Sequence, residues 1–84
     1  MIYEIKFAKN AEQFLDKLEQ IDRERILKSL ERIRIRPERF LEKLVGDEGH
    51  KFRVGYYRLF IDLDKRNLLI LVIKIGYRKN IYKN

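Results

Sequence analysis

Residues 68–75 are apolar on both sides of a two-residue repeat, with Leu69, Leu71, Ile73 and Ile75 facing one way and Leu68, Ile70 and Val72 the other. A strand of that kind lies inside a sheet, since an edge or half-exposed strand alternates apolar with polar. In a chain of 84 residues this one segment dictates a sheet-centred core. Its partners are legible nearby. Residues 50–54 and 57–63 alternate and are joined by Gly55-Tyr56, and Asp64-Lys65-Arg66-Asn67 forms the turn into the apolar strand. Residues 2–7 alternate as well, with Tyr3, Ile5 and Phe7 opposite Glu4 and Lys6, and read as a first strand.

Between the first strand and the last three the period changes to that of a helix. Ala11, Phe14, Leu15 and Leu18 fall at i, i+3, i+4 and i+7. The pattern predicts a second helix after Asp22 as N-cap, with Ile21 and Ile26 as a hydrophobic staple. Ile26, Leu30 and Ile33 continue its buried stripe, and Pro37 is expected to end it. The short connection predicts an antiparallel helical hairpin. Residues 37–49 read as irregular, with Phe40, Leu41, Leu44 and Val45 packing over one edge of the core. The predicted order is β-α-α-β-β-β, an α+β fold with the helical hairpin on one face of a small, mainly antiparallel sheet, in a single domain spanning residues 1–84.

Composition removes several kinds of chemistry. No cysteine is present, so neither a disulfide nor a thiolate metal site is available, and the composition fits a reducing cytosol. A single histidine, His50, supplies neither a protein-built metal centre nor an acid–base pair of imidazoles. The longest apolar run is six residues, far short of a bilayer span, and no membrane role is expected. The net charge of +7 is unevenly placed: residues 1–42 carry +1 and residues 43–84 carry +6. That asymmetry points to a polyanionic partner.

Alternation says where the basic half presents its charge. If the helices cover the face carrying Phe52, Leu59 and Ile61, the opposite face presents Lys51, Arg53, Arg58 and Phe60. His50 falls opposite Lys51 and reads as structural. Cations set close together with no carboxylate between them repel one another unless an anion is expected there. Gly76 lets the chain turn just before Arg78, and Tyr82 follows four residues later. A basic surface edged by aromatic rings suits single-stranded nucleic acid, where cations meet phosphates and rings stack on bases.

The blocks His50-Lys51-Phe52-Arg53-Val54-Gly55-Tyr56-Tyr57-Arg58 and Gly76-Tyr77-Arg78-Lys79-Asn80-Ile81-Tyr82, in this element order, resemble the RelE/ParE superfamily of type II toxins. Members carry a basic alternating strand, a Gly-x-Tyr-Arg turn into the next strand, and a terminal arginine followed by tyrosine. The cationic positions resemble the RelE branch, which cleaves messenger RNA in the ribosomal A site; the ParE branch poisons DNA gyrase. The resemblance implies a metal-independent endoribonuclease that needs no cofactor. Lys51 and Arg53 would bind and polarise the scissile phosphate, one of them assisting deprotonation of the 2′-hydroxyl. Arg58 would stabilise charge on the phosphoryl oxygens, Arg78 would lie beside the leaving 5′-oxygen, and Tyr82 would stack on or orient a nucleotide. Lys79, Lys83 and Phe60 are further expected RNA contacts, and Tyr77 stands where relatives often carry histidine or lysine. The implied partners are the ribosome, mRNA and a cognate RelB-like antitoxin. The chain is expected to be cytoplasmic, monomeric when free, and part of a toxin–antitoxin hetero-oligomer in the cell.

Overall fold

A computed structural model of the chain describes residues 2–46 and 49–77. The first strand, β1 (Glu4–Phe7), leads into helices α1 (Lys9–Asp16) and α2 (Gln20–Arg32). A 3₁₀ turn (Pro37–Arg39) precedes a two-residue strand β2 (Glu42–Lys43), then β3 (His50–Val54), β4 (Tyr57–Asp64) and β5 (Leu69–Tyr77). The sheet order is β1-β5-β4-β3-β2; β1 runs parallel to β5 and every other pair is antiparallel. The α+β order is therefore the expected one with β2 added, and β5 is an interior strand.

The helices pack on one face of the sheet. Ala11 and Leu15 of α1, and Ile26, Leu30 and Ile33 at α2, meet Leu59, Ile61, Ile70, Val72 and Ile75 from the sheet, all buried. Two arginines from the basic inventory hold this frame. The Arg23 guanidinium donates to the carbonyls of Leu15 and Leu18 at 3.1 and 2.8 Å, capping an α1 that has no basic residue in its own last turn. Arg34 donates to the Tyr3 carbonyl at 2.7 Å while the Tyr3 amide donates to the Arg34 carbonyl at 2.9 Å, pinning edge strand β1 to the exit of α2.

Three local expectations are corrected. Helix α2 starts at Gln20 behind Glu19, so Asp22 sits in its first turn and not at the N-cap; Ile21 is exposed and makes no staple. The Asp22 carboxylate is used across the fold instead, accepting a 2.8 Å hydrogen bond from the Tyr57 hydroxyl. Helix α2 ends at Arg32, ahead of Pro37, which opens the 3₁₀ turn, where its missing N–H costs nothing. Of the apolar cluster at residues 40–45 only Leu41 is buried; Phe40 and Val45 are exposed. The segment forms an edge strand pairing with β3, and alternation along it sends Leu41 to the helix side only.

The largest departure lies in β5. Pairing with β4 slips between Phe60 and Ile61: Ile61 faces Val72 whereas Phe60 faces Lys74, leaving Ile73 as an inserted bulge residue. Strict alternation would have put Lys74 on the core face and Ile75 outside. The bulge reverses both, so Ile75 is buried and Lys74 exposed. Tyr77 is carried to the helix side with Ile75, where its ring lies 5.5 Å from Phe14 and 5.3 Å from Tyr57.

Tyr57 links this aromatic cluster to α2. Its hydroxyl is pushed up to about 12, first by burial and then by the bond it donates to Asp22. The folded chain thus keeps a proton that the unfolded chain loses near pH 10. The stabilisation is complete below pH 10 and is lost progressively as pH rises towards about 12. Urea midpoints measured across that window are expected to fall more steeply for the wild type than for Tyr57→Phe. That variant starts lower at neutral pH, because Asp22 has lost its donor.

Candidate functional site

The sheet face turned away from the helices carries two neighbouring cross-strand rows. One runs Arg53 (β3), Arg58 (β4), Gly76 (β5); the other runs Lys51, Phe60, Lys74 on the same strands. The rows are about 7 Å apart, two residues along a strand. Lys51, Arg53, Arg58 and Phe60 are thus brought onto one face by strand pairing. Lys74 joins them only because of the bulge, and no periodic reading of the sequence places it there. Tyr77, flanked by Gly76 and one residue short of Arg78, turns to the other side. Arg78, Lys79, Tyr82 and Lys83 lie outside the described residues.

The direct opposition of Arg53 and Arg58 is the most telling feature of this face. Like charges directly across an antiparallel pair are destabilising, so the pairing contributes nothing to the fold by its charge. Both residues are engaged within the chain. They differ sharply in exposure: Arg53 is exposed, whereas Arg58 is 4 % exposed, the one buried charged residue among the described residues. This corrects the expectation of an open face at Arg58. It lies on an interior strand, enclosed by β3 on one side and β5 on the other. A guanidinium held in that position has a fixed geometry and little competing water, which strengthens its interaction with an arriving anion.

The expectation of a face without carboxylates is also corrected. The short strand β2 sets Glu42 opposite Lys51, with Nζ and Oε2 3.8 Å apart. Glu42 is largely exposed, so the pair is weak and offsets repulsion among the cations without locking Lys51 in place. A second carboxylate, Asp62, lies two residues beyond Phe60 and lines a depression of about 380 Å³ with Leu44, Gly49, Phe60, Ile73 and Lys74. His50 contributes to its wall, and its Nδ1 is buried with no hydrogen-bond partner among the described residues. The described residues contain no group of three or more histidine or acidic side chains able to hold a metal ion. No helix among them is long and apolar enough to cross a membrane.

Chemically the face offers a buried guanidinium, an exposed one opposite it, and two lysines flanking an aromatic ring. Groups of these kinds can hold a phosphodiester and stack on a base. Among the described residues the arginine row has no nucleophile or imidazole pair beside it, so a reaction using these residues would take its nucleophile from the ligand. Glu42→Gln is expected to delay elution from a heparin column by releasing Lys51, while changing stability by less than about 1 kcal/mol. Arg53→Gln is expected to elute earlier than the wild type in the same salt gradient.

No family model matches this sequence, and no curated protein matches it. Solved structures do resemble it. A chain of the RelBE2 toxin–antitoxin complex from Mycobacterium tuberculosis superposes with a TM-score of 0.83 at 20% identity, over 93% of this chain and 100% of that one. The free E. coli toxin RelE, in a double arginine-to-alanine variant, gives 0.79 at 26% identity over 95% of this chain and 87% of that one. A chain of the archaeal RelE–RelB complex from Pyrococcus horikoshii gives 0.75 at 24% identity over 93% and 97%.

Proposed function

We propose that this chain, which belongs by its fold to the RelE-like toxin superfamily, is the toxin of a type II toxin–antitoxin pair and acts as a ribosome-dependent mRNA endoribonuclease. The solved structures it resembles include toxins alone and toxins bound to antitoxins, and this supports the toxin assignment. The observation that carries the ribonuclease reading is the opposed Arg53–Arg58 pair beside Lys51, like charges set across two strands that a phosphodiester would neutralise.

RNA brings its own nucleophile. The 2′-oxygen attacks phosphorus, its proton passes to a base, and the 5′-oxygen leaves with a proton from an acid, giving a 2′,3′-cyclic phosphate. Such a reaction asks the protein for positioning, charge stabilisation and proton transfer. In this reading Lys51 and Arg53 grip the scissile phosphate, one of them assisting removal of the 2′ proton. Arg58 stabilises the charge gathering on the phosphoryl oxygens, and its burial suits the task, because a preorganised donor does not have to reorient as charge develops. Arg78 serves beside the leaving oxygen and Tyr82 orients a nucleotide. Arginine keeps its proton too firmly to be an efficient acid, so the isolated protein is slow and the ribosome supplies substrate geometry. A RelB-like antitoxin, acidic or amphipathic, would neutralise the basic half-molecule and block this face. The free toxin would be a cytoplasmic monomer.

A translating extract with a defined message tests the reading. Wild-type protein is expected to cut the message at codon positions only when ribosomes are present. Arg58→Ala and Arg78→Ala are each expected to lower the rate by at least about a hundredfold. Arg58→Lys keeps the charge without the planar fork and is expected to recover only part of it. Since Arg58 is buried, thermal midpoints of the variants are measured alongside. Messages left intact while gyrase-dependent supercoiling fails would move the assignment to a ParE-like gyrase inhibitor. Neither effect, with antitoxin binding retained, would mark a member that only binds its antitoxin.

A further inference from the structure

The arginine row accounts for a phosphate but leaves the neighbouring depression unexplained. Its floor is apolar, built from Leu44, Phe60 and Ile73, and it is large enough for one nucleobase with its ribose. Its polar rim is unusual for a surface that meets polyanions: the ammonium of Lys74 and the carboxylate of Asp62. Both are exposed, and no ion pair joins them among the described residues. A carboxylate on such a face repels phosphate, and it lowers affinity unless it accepts hydrogen bonds from a base. Lys74 reaches this rim only through the Ile73 bulge, which sets it opposite Phe60 on β4, with Asp62 two residues further along the same strand.

We propose that this depression is a base-binding subsite for a guanine of the RNA, with Phe60 as the stacking platform and Asp62 and Lys74 reading the base edge. The inference rests on the RNA-binding reading above and gives it a specificity. Guanine presents two adjacent donors, N1–H and the exocyclic amine, which one carboxylate accepts together. On the same base O6 and N7 are acceptors, which an ammonium satisfies. Adenine and cytosine each offer a carboxylate only a single exocyclic amine, and uracil only one ring N–H, so none of them meets Asp62 with two adjacent donors at once. The apolar floor accepts the face of any base, whereas the rim selects among them. Because Phe60 lies one cross-strand row from Arg58, the base would belong to a nucleotide adjoining the phosphate held by the arginines.

Uncleavable 2′-O-methyl hexanucleotides carrying one guanine, one adenine or one abasic position among uridines separate these possibilities in direct binding to the full chain. The guanine probe is expected to bind about five- to a hundredfold more tightly than the abasic one, the range a stacked base supplies. Phe60→Leu should remove most of that difference while leaving the abasic probe's affinity unchanged. Asp62→Asn should shrink the preference for guanine over adenine. Lys74→Ala should weaken the guanine probe more than the abasic probe. Equal binding of guanine and abasic probes, loss by Lys74→Ala that is the same for both, or no binding of any probe would overturn the subsite. Cleavage in the translating extract is read separately with Arg58→Ala. Base-selective binding without cleavage would retain the subsite and reject the nuclease, and cleavage without base-selective binding would do the reverse.

Discussion

The structure depends on how β5 is accommodated between β1 and β4. It is enclosed along both edges and covered by the helices on one face, so the side chains it sends inward must be apolar. From Leu69 to Tyr77 a regular strand would meet that demand at Ile70 and Val72 and then fail, since the next residue in phase is Lys74. Burying an ammonium without a partner costs several kcal/mol, more than the few ladder contacts that a bulge disturbs. The inserted Ile73 resolves the conflict locally. Its consequences spread outward: Ile75 completes the core, Tyr77 closes an aromatic cluster with Phe14 and Tyr57, and Lys74 is delivered to the opposite face.

The same division runs through the basic residues. Arg23 and Arg34 spend their donors on backbone carbonyls and hold α1 and β1 in place. Those are structural cations, drawn from the half of the chain that is nearly neutral overall. Four cations of the second half, Lys51, Arg53, Arg58 and Lys74, lie in adjacent rows on one sheet face, where Arg53 and Arg58 oppose each other directly. Net charge alone does not separate the two kinds. What separates them is place: Arg23 and Arg34 reach carbonyls of the frame, whereas Arg53 and Arg58 stand directly opposite each other on the sheet.

Much of the fold was legible because it rests on local periodicity. The two-sided apolar strand, the alternation at residues 50–54 and 57–63 and the helical stripe through Ile26, Leu30 and Ile33 all survive in the structure. Helix boundaries were less legible. Asp22 looks like a cap because aspartate often is one, but its carboxylate is engaged by Tyr57, a partner 35 positions away. Strand β2 carried too few residues to show a period, and only pairing with β3 defines it. At the candidate site Lys51, Arg53, Arg58 and Phe60 could be placed by alternation. Asp62 follows Phe60 by the same alternation, whereas Glu42 and Lys74 could not be connected with the face, because their relation to it runs through strand pairing.

Read from the chain alone, a doubly apolar strand lies inside a small sheet, a pair of helices covers one face, and the basic residues of β3 and β4 share the other. Those are consequences of period and composition, which act over a few residues at a time. The enclosure of Arg58, the carboxylate opposite Lys51 and the arrival of Lys74 on the same face come from the folded arrangement. Burial and register depend on what lies beside a strand, and on β5 the requirement to keep an ammonium out of the core outweighed the regular alternation of the chain.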